Sequence, residues 1–136
     1  MALDYLSHVL KRRSTVFLIS DFLDEGYESI LRVAARRHEI VAISLSDPRE
    51  RNLPDVGLIE FEDAETGRRS VVDTSNAGVR RQYHERAVRS AAQRDRLLAS
   101  LSIDHIALST DRSYVEPLIV FFRNRARSST YSARAG

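Results

Sequence analysis

Ser20 and Asp21 follow directly on four consecutive apolar residues, Val16, Phe17, Leu18 and Ile19. A hydroxyl and a carboxylate at the carboxyl end of a parallel strand stand where open α/β sheets build their sites. A second polar group, Ser109-Thr110-Asp111, closes the apolar run 103–108. If these ends converge, Asp21, Ser20 and Thr110 offer one carboxylate and two hydroxyls to a hard divalent cation. Magnesium takes about six oxygens, several of them from water, so this set is an incomplete metal site. The structural role open to Asp21 is to cap or brace a strand-to-helix turn.

Other chemistries find less support. A phosphoacceptor aspartate of the receiver type needs a lysine at the end of a late strand, and Lys11, the single lysine, precedes the first strand. A dehalogenase-type site needs Asp-x-Asp, whereas the acids here are Asp21 and Asp24. His8, His38, His84 and His105 are scattered without metal-ligand spacing. We read His105 as a strand residue near the surface and His38 as a helix-end residue. No serine sits in a nucleophile elbow. The absence of cysteine excludes disulfides, thiolate catalysis and cysteine zinc sites. The expectation is a non-catalytic chain. The alternative is a divalent-metal-dependent phosphotransfer or hydrolase domain using Asp21.

The elements that must position these residues follow from periodicity. Residues 15–20, 40–45 and 103–108 read as parallel core strands, the first of them covered on both faces. Residues 2–10 carry Leu3, Leu6, Val9 and Leu10 at helical spacing. A helix capped by Asp24 or a neighbour runs to about Arg37, with Tyr27, Ile30, Leu31 and Ala34 facing inward. Ser46-Asp47-Pro48 makes a turn. Residues 56–62 and 68–73 read as a β-hairpin inserted as an arm on the sheet, turning at Ala64-Glu65-Thr66-Gly67. Its charged residues Glu60, Glu62, Arg68 and Arg69 are of opposite sign across the pair. Ser75 or Asn76 caps a long helix to about Leu101, and Ser113 to Glu116 has capping-box spacing before a last helix to about Arg123. The fold class is therefore α/β, a partial three-layer Rossmann-type sheet with helices on both faces. One domain is expected over 1–124, followed by a disordered tail over 125–136.

The quoted stretches, from Val16 through Asp24, Val41 through Glu50, Asp63 to Gly67, Val72 to Ser75 and Leu108 to Asp111 with Tyr114 and Val115, closely resemble one known family. It is the carboxyl-terminal half of the domain of unknown function 58 family, a von Willebrand factor A-like group, and the resemblance runs from about residue 3 to 124. Members are usually encoded beside MoxR-type AAA ATPases, so the resemblance implies such an ATPase as partner. The von Willebrand factor A fold holds a divalent cation at a metal-ion-dependent adhesion site. Its loops supply Asp-x-Ser-x-Ser, a threonine and an aspartate; Asp21 matches that last aspartate, and the first two loops have no counterpart here. The chain is thus expected to be a fragment with no cofactor of its own, magnesium belonging to the full-length domain. The resemblance places the partner contact at the strand-end loops: Asp47, Arg49, Asp111 and Arg112 beside Asp21.

Composition bounds the rest. The chain has 136 residues and a net charge of +2, with 20 of its 21 basic residues arginine. The arginines are dispersed among 19 acids and no aromatics interleave with them, so no specific nucleic-acid site is expected. No apolar run approaches a membrane span, and a cytoplasmic setting is expected. An open edge along residues 16–19 implies a dimer or higher homo-oligomer, joined through that edge or through an exchanged first helix.

Overall fold

The structure, a computed structural model, describes residues 9–23, 26–62 and 67–132, with side chains to residue 127. The first-helix reading over 2–10, Asp24 as a cap and the hairpin tip at 64–66 lie outside the described residues. The elements in chain order are β1 (Thr15–Ser20), α1 (Tyr27–Arg37), β2 (Glu39–Ser46), α2 (Pro48–Arg51), β3 (Leu58–Glu62), β4 (Arg69–Asp73), α3 (Ala77–Ser100), β5 (Asp104–Ser109) and α4 (Val115–Ser132). They divide into two compact units. One comprises residues to 46 and from 94 onward, the other residues 47–93.

The first unit holds a three-stranded sheet in the order β1-β2-β5. Both pairings are parallel, with Thr15 opposite Glu39 and Val41 opposite Asp104. The three strands predicted at 15–20, 40–45 and 103–108 are found within a residue of those bounds. Central β2 has neighbours on both edges and is buried from Ile40 through Ser44, which is why its sequence shows no alternation. On one face Ile40 and Ala42 pack with Phe22, Leu31 and Ala34 of the α1 region and with Leu98 near the end of α3. On the other, Val41, Ile43 and Ile106 pack against Leu118 and Phe121 of α4.

The outer strand differs from expectation. We expected β1 to be covered on both faces, yet Phe17 is 47% and Ile19 67% exposed. The reason is its place at the sheet edge: Leu118 and Phe121 of α4 pack on β2 and β5, while Phe122 meets Phe17 with ring centroids 6.0 Å apart.

Helix ends also depart from the sequence reading. Helix α1 begins after Gly26 at φ +81°, with no side-chain cap; glycine enters this left-handed conformation without the Cβ penalty other residues meet. The tail expected to be disordered from 125 is helical to Ser132. Its anchor is Arg125, which donates to Asp104 at 2.7 Å and also pairs with Glu39. Thr15 donates to the same Glu39 at 3.1 Å, so one network ties all three strands to α4. Ser113 accepts from the Val115 amide at 3.4 Å before α4 begins.

In the second unit the hairpin is antiparallel as expected, Glu62 opposite Arg69 with an ion pair at 3.1 Å. It is a separate two-stranded sheet, however, and not an arm paired with the main sheet. Thr74, directly after β4, is fully buried. The turn expected at Ser46-Asp47-Pro48 is the start of one-turn α2, because Asp47 and Glu50 form a reciprocal capping box and Pro48 has its φ preset for the first helical position. Asn76 caps α3, accepting from the Gly78 amide at 2.8 Å.

Candidate functional site

β1 ends in Ser20 and Asp21, β2 in Ser46, and β5 in Ser109 followed by Thr110 and Asp111. Each end holds its own turn. Ser20 Oγ accepts from the Phe22 amide at 3.0 Å and donates to Asp21 Oδ1 at 3.5 Å, while Asp21 Oδ1 accepts from the Leu23 amide at 3.2 Å. This brace lets the chain pass through Phe22 at φ 57°, a conformation uncommon for a bulky residue, and buries the Phe22 ring edge-on to Tyr27 at 5.5 Å. At the other end Ser109 Oγ donates to Asp111, and the Arg112 amide donates to the Ser109 carbonyl at 3.2 Å. Thr110 donates its amide to the Ser46 carbonyl at 3.0 Å.

Ser20 and Asp21 are adjacent at the end of β1, and Thr110 stands at the end of β5. Asp21 follows β1 and Thr110 follows β5, on opposite edges of the sheet with β2 between. Strands sit about 4.8 Å apart, so the backbones at these two positions are roughly 10 Å apart. Among the described residues, no group of three acids or histidines could hold a metal ion. Asp111 and Arg112 are exposed on the loop after β5, Nε to Oδ2 3.9 Å. Asp47 and Arg49 belong to the second unit, Asp47 accepting from the Arg49 amide at 2.8 Å.

A polar cluster that the sequence reading passed over lies inside the sheet. Ser44 Oγ is 2.8 Å from His105 Nε2, His105 Nδ1 is 3.6 Å from Asp95, and Arg94 donates to Asp95 from Nε and Nη2 at 3.0 and 2.9 Å. Serine, histidine and aspartate follow each other in the order of a hydrolase triad. The serine, however, is 2% exposed and sits mid-strand between two paired neighbours, out of reach of a substrate. The cluster instead fastens β2 to β5 and to the end of α3. Its one sequence signal is Ser44, a polar residue interrupting the run Ile40 to Leu45. His38, read as a helix-end residue, does follow α1, but it is buried and neither ring nitrogen has a hydrogen-bond partner among the described residues.

Burial holds the His105 imidazole below the ordinary histidine range, with Arg94 acting in the same direction and Asp95 against it. Protonation is thus harder in the folded chain than in the unfolded one. The stability that comes from keeping His105 neutral is complete above the unfolded pKa of about 6.5 and is lost as pH falls from there toward the lower folded value. The melting temperature is expected to drop between pH 7 and 5 by more in the parent chain than in His105→Gln, measured by scanning calorimetry. Equal drops would assign the acid sensitivity elsewhere.

A model for the protein of unknown function DUF58 matches residues 1–93. The chain belongs to the DUF58 family. An uncharacterized protein of Mycobacterium avium is 34% identical over 131 residues, covering 94% of this chain and 76% of its own length. Uncharacterized proteins of Mycobacterium bovis and Mycobacterium tuberculosis are each 33% identical over 132 residues. That match spans 95% of this chain and 41% of theirs, so this DUF58 chain is less than half as long as those relatives. No solved structure matches. Among the described residues no helix is long and apolar enough to cross a membrane.

Proposed function

We propose that this DUF58 chain is a non-catalytic protein–protein interaction module, the carboxyl-terminal part of a von Willebrand factor A-like domain, and that its partner is a MoxR-type AAA ATPase. The observation that carries the reading is how the strand-end loops use their polar groups. Ser20, Asp21, Ser109 and Asp111 are all engaged in bonds that fix their own turns, which leaves conformationally set, exposed loops. Such loops on a rigid sheet are where binding specificity varies most readily. Arg112 and Asp111 form the contact proposed on the first unit, and Asp47 and Arg49 a separate one on the second. The ATPase itself is inferred from the family resemblance, as is magnesium in a longer chain carrying the other metal loops.

The test is surface plasmon resonance of this chain against a purified MoxR-type ATPase with a non-hydrolysable nucleotide. Binding is expected, with Arg112→Glu weakening it at least about tenfold, the size of one well-placed charge reversal. Crosslinks confined to the hairpin at 58–73, or binding unchanged in both Arg112→Glu and Arg49→Glu, would refute the reading.

A further inference from the structure

Strand β1 has β2 on one side and, among the described residues, nothing on the other. Its six residues Thr-Val-Phe-Leu-Ile-Ser contain no proline, charge or glycine, the devices that usually blunt an edge. The apolar surface does not stop at the strand. Phe17 meets Phe122, and Val115, Ile119 and Phe122 of α4 are each close to half exposed.

The flanks of β1 carry opposite charges. Lys11, Arg12 and Arg13 precede it and Asp21 follows it, all exposed. A copy laid alongside in parallel would set arginine against arginine. An antiparallel copy centred on Phe17 sets residue i against 34 − i. Phe17 then faces its own twin, Thr15 faces Ile19, and Arg13 faces Asp21 at both ends. Odd residues stay opposite odd residues, so the exposed Phe17 and Ile19 of both copies share one face of a continuous sheet. Moving the centre to Leu18 sets Arg13 against Leu23, so Arg13 no longer meets Asp21 at either end.

We infer that this chain forms a two-fold dimer through β1, antiparallel about Phe17, giving a six-stranded sheet of order β5-β2-β1-β1-β2-β5. Arg13 of each copy pairs with Asp21 of the other. Backbone pairing closes both edges, and the Phe17, Ile19 and Phe122 surfaces of the two copies become contiguous. The contact is isologous and so stops at two. This inference does not rest on the proposed ATPase partner.

Sedimentation velocity of the 136-residue chain at micromolar concentration is expected to give twice the 15.5 kDa chain mass. Arg13→Asp and Asp21→Arg are each expected to weaken the dimer about tenfold, because each reverses a charge in two symmetric contacts. Combining them in one chain swaps both partners and restores the parent affinity. Ile19→Lys is expected to yield a monomer with an unchanged circular dichroism spectrum. A parent chain that stays monomeric, with β1 amides slow to exchange, would mean that the edge is covered within the chain and would overturn the inference. So would a dimer indifferent to Arg13→Asp, or a double variant as weak as the single ones.

Discussion

Leu31→Ala is expected to lower the unfolding free energy of the first unit by about 3 kcal/mol, within the 2–5 kcal/mol typical of buried leucine truncation. Leu31 is fully buried among Phe22, Ala34, Ile40, Ala42, Leu98 and Ile103. These residues come from the loop after β1, from α1, β2, the end of α3 and the entry to β5, so the void would open where five segments meet. Elements held by that many neighbours collapse poorly around a cavity. The neighbouring Val33 is 47% exposed on the same helix, and Val33→Ala is expected to change stability by about 0.5 kcal/mol or less. Urea unfolding of the two variants checks both figures. A loss below about 1 kcal/mol for Leu31→Ala would mean that α1 is not packed on the sheet as described.

Thr74→Val should cost about 1 kcal/mol in the second unit, the net worth of a typical hydrogen bond, because valine can neither donate nor accept where the Thr74 hydroxyl does. Thr74 Oγ1 donates to the Gly57 carbonyl at 2.6 Å and accepts from the Val56 amide at 3.1 Å. The Gly57 carbonyl keeps a second donor, the Thr74 amide at 2.8 Å, so the Val56 amide is the group orphaned. Valine preserves shape, which separates this effect from packing. Thr74→Ser keeps the hydroxyl and should retain most of the stability. Hydrogen exchange at the Val56 amide is the specific readout: faster in Thr74→Val, near the parent rate in Thr74→Ser. Unchanged exchange in the valine variant would show that the hydroxyl does not hold this junction.

Local chemistry made the strands legible. Four apolar residues ending in Ser20-Asp21 mark β1 to the residue, and Thr66-Gly67 between alternating stretches marks the hairpin. What could not be read depends on partners far away in the chain. Ser44 meets His105 because β2 pairs with β5 with Ala42 opposite His105, and nothing near Ser44 announces that register. Helix α4 outruns its expected end because Arg125 finds Glu39 and Asp104. Burial of β1 was misjudged because an apolar run reports what a strand could bury, not what lies over it. For the strand-end residues, sequence located Asp21 and Thr110 correctly at two strand ends. It did not reveal that the two strands are on opposite edges.

The strand order has a consequence for how the sheet is assembled. Pairing β1 with β2 joins Thr15 to Glu39, a separation of 24 residues. Pairing β2 with β5 joins Val41 to Asp104, a separation of 63. Loop-closure entropy rises with the logarithm of length, which adds about 0.9 kcal/mol to the second closure. The intervening chain is not slack, since it carries the whole second unit with a sheet of its own. During synthesis, the β1-α1-β2 segment is complete before β5 exists. Until Asp104 emerges, β2, buried from Ile40 through Ser44 in the finished sheet, has one side unpaired, and any product cut short before that residue keeps it so.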